Sequence, residues 1–150
     1  LSTLQQNTWV HLACHGKQDS MQPDKSRFVV RDEHLTLLDI VERGIPQAEF
    51  AFLSACHTAT GDEKTSEEMV HLAADLQFSG FKSVIGTLWE VDDSVAKHVV
   101  ESFYKYMFGD LKDGGVMDCT KAAWALNCAT HAVKTKVPLD QRMVFVHIGV

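Results

Sequence analysis

Cysteine is scarce in this sequence, with only Cys14, Cys56, Cys119 and Cys128 in 150 residues. Four scattered thiols make no dense disulfide framework, so a small disulfide-stapled secreted scaffold is excluded. They read as reduced thiols of a cytosolic or nuclear protein. Long hydrophobic runs are also missing. None approaches the roughly 20 residues of a membrane span, and no signal peptide opens the chain. Basic charge is in deficit: 14 Lys and Arg stand against 20 Asp and Glu, a formal −6. With no basic stripe, phosphate-driven nucleic-acid binding is not expected. Internal repeats, low-complexity segments and linkers are absent, so residues 1–150 read as one domain. Leu1 is not an initiator methionine, and the domain is expected to be a C-terminal fragment of a longer protein.

What is present is an ordinary globular balance, 45% apolar and 23% charged residues, enough to build a core without a metal or disulfide. Trp9–Cys14, Phe50–Ala55 and Ser83–Trp89 are short apolar runs of the kind that form strands buried on both faces. Phe28–Val30 suggests a short strand with a turn at Asp32-Glu33, and Met143–Val150 a last one. Helical signals lie between them. Thr36 and Asp39 have capping-box spacing ahead of Leu37, Leu38, Ile40 and Val41, with Gly44 and Pro46 as the stop. Thr65 and Glu68 repeat that spacing before Met69, Leu72, Ala73 and Leu76, and Gly80 closes that helix. Asp92 or Asp93 can cap a stripe of Val95, Ala96, Val99, Val100, Phe103 and Met107. Ala122, Ala123, Leu126 and Ala129 suggest one more helix. Strands alternating with helices imply an α/β fold, a mostly parallel sheet covered on both faces.

In such sheets, sites gather at the carboxyl ends of strands. Two strand ends here carry reactive residues, Ala13-Cys14-His15-Gly16 and Ser54-Ala55-Cys56-His57. A free thiol is mostly protonated at neutral pH, and a neighbouring imidazole can take that proton and leave a thiolate nucleophile. The oxyanion formed on attack needs backbone N–H donors, which the Gly16 and Cys56 amides can supply. Each residue also has a plainer reading. A Cys that ends an apolar strand is usually a small buried hydrophobe, and a lone His is usually structural. Cys14, His15, Cys56 and His57 also contain the donor types of a metal site, but neighbouring strand residues point to opposite faces, which opposes convergence.

Taken in order, WVHLACHG, LTLLDI, AEFAFLSACHTATG, FSGFKSVIGTLWEVDD and the closing FVHIG resemble the CHAT domain, a member of the caspase and separase clan of cysteine peptidases. The resemblance implies a caspase-like three-layer α/β/α sandwich, with strands that normally precede the HG strand missing from this chain. It implies His15 as catalytic base and Cys56 as nucleophile, without cofactor or metal. Ser54, two residues before the nucleophile, falls where caspases line the pocket for the substrate's P1 side chain. Its SACHT setting departs from the pattern of Asp-specific caspases. Trp89 would be an apolar wall of that pocket, or packing against the sheet. Asp92 would select a basic P1 side chain, or cap the following helix. The implied partners are a protein or peptide substrate and a helical-repeat or sensor domain in the same chain, with neither nucleic acid nor membrane. A signalling module with a silent dyad is the alternative to an endopeptidase.

Overall fold

The computed structural model describes residues 6–13, 15–17, 27–30, 33–43, 45, 47–54, 73–88, 91–109, 111 and 115–150; of 15–17, 27–30, 33, 34, 37, 41 and 43 it describes the backbone only. Its centre is a four-stranded sheet in the order β1-β5-β6-β7. The strands are β1 (Trp9–Leu12), β5 (Phe50–Leu53), β6 (Ser83–Thr87) and β7 (Phe145–Gly149). β1, β5 and β6 run parallel, and β7 is an antiparallel edge. All described positions of β5 and β6 are buried, as the continuous apolar runs require of strands covered on both sides.

Alternation of side chains divides the core into two layers. Ala51, Leu53 and Val84 pack with Ile40 of α1 (Leu37–Arg43) and with Ala73 and Leu76 of α2, a helix described over residues 73–78. Phe50, Phe52 and Ile85 face the other way. They meet Val99, Phe103 and Met107 of α3 (Asp93–Phe108) and Ala122, Ala125, Leu126 and Ala129 of α4 (Ala122–Ala132). Phe103 stacks on Phe50 at 5.7 Å and meets Phe52 edge-on at 5.2 Å. The result is the expected three-layer α/β/α sandwich with a mostly parallel central sheet, consistent with a caspase-like fold.

Local signals read from the sequence are realised where they are described. Asp39 N–H donates to Thr36 Oγ1 at 3.1 Å, and Thr36 N–H donates to Asp39 Oδ2 at 3.2 Å, a reciprocal capping box at α1. Gly80 takes φ +111°. Its N–H bonds the Gln77 carbonyl and that of Phe81 bonds the Leu76 carbonyl, so α2 ends in a Schellman motif. The second expected capping box, Thr65 with Glu68, lies outside the described residues.

The strands are shorter than the apolar runs suggest, and one small sheet was not expected. β1 ends at Leu12, β5 at Leu53 and β6 at Thr87. Met143 belongs to a turn, its N–H bonding Leu139 O at 3.0 Å after the short helix α5 (Leu139–Arg142), and the last strand starts at Phe145. Beyond β1 the chain forms β2 (His15–Lys17), β3 (Arg27–Val30) and β4 (Glu33–Thr36), an antiparallel sheet in the order β2-β3-β4. Glu33, expected in a turn, therefore opens a strand. Its polar, alternating residues lack the apolar run by which the central strands are recognised.

Candidate functional site

The two strand ends nominated from the sequence belong to the paired strands β1 and β5. Their register sets Leu12 opposite Leu53, and one further bond, Ser54 N–H to Leu12 O at 3.1 Å, carries the ladder to the strand ends. His15 follows Leu12 by three residues, and Cys56 follows Leu53 by three. Both predicted catalytic residues thus leave the last paired rung by the same length of chain, on strands about 5 Å apart.

Of the predicted residues, His15 and Gly16 lie in β2, with their backbones opposite Val29 and Phe28; the His15 side chain is not among the described ones. Cys56 and Trp89 fall outside the described residues, as do Cys14 and His57 of the metal reading. Ser54 is half-buried at the end of β5. Asp92 is exposed and is the N-cap of α3, accepting the Ser94 N–H at 2.8 Å and the Ser94 hydroxyl. Those bonds, the hydroxyl's first, hold its carboxyl below the usual carboxylate range. It is therefore a fixed negative charge beyond the carboxyl end of β6.

Two residues beside this edge were not identified from the sequence. His11 Nε2 lies 2.8 Å from Ser54 Oγ, and the Tyr104 hydroxyl, from α3, lies 3.2 Å from His11 Nδ1. The imidazole packs at 5.0 Å from the Phe52 ring and 5.6 Å from that of Tyr104, while its edge stays exposed. Burial lowers the His11 pKa, favouring the neutral ring, and pushes the Tyr104 phenol up to about 12. In the sequence His11 reads as an interior residue of the first strand, outside the HG motif. Its signal was parity: it shares a face with Trp9, and a polar residue there needs a partner.

Away from this edge, an open concavity of about 270 Å³ beside α4, α5 and β7 has Thr130 and His147 in its lining, and one of about 320 Å³ between α3 and α4 has His98 and Ser102; among the described residues no hydrogen bond joins either pair. Cys119 is buried, and that burial raises its thiol pKa, the opposite of an activated nucleophile. Among the described residues no group of three His, Cys, Asp or Glu side chains is placed to hold a metal ion, and no helix is long and apolar enough to cross a membrane.

The fold and the paired strand ends define a caspase-like α/β domain. Residues 1–134 match the family described as the CHAT domain, and the chain belongs to that family, which is peptidase-related. No curated protein matches the chain.

Proposed function

We propose that the chain is a cysteine endopeptidase domain acting through His15 and Cys56. The observation that supports this best is the β1–β5 register, which ends at Leu12 opposite Leu53 and leaves each dyad residue three positions further on. In this reading His15 takes the Cys56 thiol proton. The thiolate adds to the scissile carbonyl, whose π electrons move onto oxygen. The Gly16 and Cys56 amides donate to that oxyanion. Among the described residues β2 is an edge strand of its sheet, and an edge leaves alternate N–H groups unused by the ladder. Collapse breaks the C–N bond, His15 returns the proton to the departing amine, and water then hydrolyses the thioester. Neither metal nor cofactor enters these steps.

Ser54, Trp89 and Asp92 would line the P1 pocket, as hydroxyl, apolar wall and acid. Asp92 is ionised and exposed, which suits a basic P1 side chain. The substrate is a protein or peptide, and the domain would serve a regulated signalling, cell-death or defence pathway under a helical-repeat or sensor domain in the same chain.

The test is a diverse peptide library read by mass spectrometry, with Cys56→Ala as control and any native flanking sequence included. Cleavage that vanishes in Cys56→Ala is expected. Cleavage that survives the substitution, or a folded protein that cleaves nothing, overturns the reading.

A further inference from the structure

The Tyr104–His11–Ser54 chain has no part in the dyad chemistry. It joins three elements, α3, β1 and β5, at the sheet edge from which the proposed nucleophile segment leaves. A neutral imidazole has one donor and one acceptor nitrogen. The Tyr104 phenol keeps its proton, and His11 Nδ1 at 3.2 Å is an acceptor within its reach. With Nδ1 accepting, Nε2 carries the hydrogen and donates to Ser54 Oγ at 2.8 Å. The Ser54 N–H is meanwhile tied to Leu12 O at 3.1 Å. Backbone and side chain of Ser54 are thus both fastened to β1. Among the described residues its own O–H and one lone pair have no further partner.

Resting on the peptidase reading, we propose that His11 and Tyr104 are positioning residues that hold the Ser54 hydroxyl in one rotamer as the polar wall of the P1 pocket. The domain then prefers a P1 side chain that makes a polar contact over an apolar one of the same size. A serine hydroxyl alone rotates among three wells and pays that freedom when substrate binds. A hydroxyl already fixed from behind does not, and an apolar side chain leaves it unpaired on binding.

The test uses the chain with any native flanking sequence and peptides that differ only at P1, in uncharged size-matched pairs that Asp92 does not bias: glutamine against methionine and threonine against valine. kcat/KM is measured for each. The wild type is expected to favour the polar member of at least one pair by about tenfold or more. His11→Phe, which keeps the ring packing, is expected to cut that ratio about tenfold, and Tyr104→Phe about threefold, as loss of a hydrogen bond of ordinary strength does. His11→Gln, which can place an amide N–H near Nε2, restores part of it. A purely structural role lowers both members of a pair together and leaves their ratio unmoved. Ring ¹⁵N shifts of His11 in the uncleaving Cys56→Ala protein are expected to show the neutral Nε2–H form, mixing with the other tautomer in Tyr104→Phe. An unchanged ratio in His11→Phe with Cys56-dependent cleavage intact overturns the positioning role alone. Absence of any Cys56-dependent cleavage in the folded wild type overturns the peptidase reading and this role with it.

Discussion

Two glycines with the same backbone angle make a controlled measurement of what crowding costs this fold. Gly80 and Gly149 both have φ +111°, a region where a side chain is strained by about 1–3 kcal/mol. Their surroundings differ. A Cβ on Gly80 would find Ile45 O at 3.6 Å, ordinary contact. One on Gly149 would sit 2.1 Å from Lys82 O and 3.1 Å from Ser83 Cα, both backbone atoms that cannot rotate away. To relieve that overlap β7 must move off β6, which stretches the Val150 N–H to Lys82 O bond of 3.0 Å and the rung between Ser83 and Gly149. Alanine also restricts the unfolded chain, but it does so equally at both sites and cancels in the comparison. Gly80→Ala should therefore cost about 1–2 kcal/mol. Gly149→Ala should cost about 3–5 kcal/mol, with the Val150–Lys82 backbone hydrogen bond lost and the β6–β7 pairing disturbed as well as the strain. That is a large share of the roughly 5–15 kcal/mol that holds a domain folded. Urea unfolding of the two variants, read at constant m, gives the difference directly. Values within about 0.5 kcal/mol of each other, near the limit for ordinary surface changes, would refute the crowding argument and the tight β6–β7 end it describes.

Asp92 can be divided into its two roles. Asn caps a helix as well as Asp does, so Asp92→Asn should leave the melting temperature in place while removing any preference for a basic P1 residue, and Asp92→Ala should lower both; a basic preference that survives in Asp92→Asn would leave Asp92 as a cap alone. The pH dependence of stability follows from His147, whose imidazole lies 2.8 Å from the Ser83 hydroxyl and is held below the ordinary histidine value, chiefly by burial. The unfolded chain takes up a proton near pH 6.5 that the native site resists, so its contribution is complete above about pH 6.5 and is lost as pH falls below it. Urea midpoints at pH 8, 7, 6 and 5 should show that decline, to which His11, also held low by burial, adds in the same direction; His147→Gln should make it shallower, and the same slope in the variant would assign the decline to other groups.

The layers of this fold were legible because each rests on local spacing. Continuous apolar runs marked β5 and β6, the i, i+3, i+4 stripe marked α3, and Thr36 with Asp39, Gly80 and Asp92 marked helix ends by the side-chain and backbone bonds they make. Of the β2-β3-β4 sheet only β3 was legible, from the apolar Phe28–Val30; β2 and β4 are three or four residues long with no apolar run in their sequence, and their pairing is antiparallel across β3. The antiparallel sense of β7 is likewise set by pairing with β6, which no residue of FVHIG announces. At the site, sequence could nominate residues near two strand ends but not their register. It could not join His11 to Tyr104, which is 93 residues away.

That trio also separates folding from function. Along the α3 face, β1 reads Trp9 then His11, and β5 reads Phe50, Phe52, then Ser54. The apolar stripe thus turns polar at its last step. An apolar trio of the same shape would serve the fold as well, since removing all partners of a hydrogen-bonded set leaves nothing unpaired. The triple variant His11→Phe, Ser54→Ala, Tyr104→Phe keeps a ring beside Phe52, now 5.0 Å from the imidazole, and beside position 104, now 5.6 Å away. It should lie within about 1 kcal/mol of the wild type in urea unfolding, whereas the three single changes, each stranding a partner, should sum to more. A triple variant as unstable as that sum would show that the trio is needed for folding itself. Near-neutrality would mean that the polar residues at this edge are not required by the core, which leaves the proposed role of Ser54 in the P1 pocket as their reason.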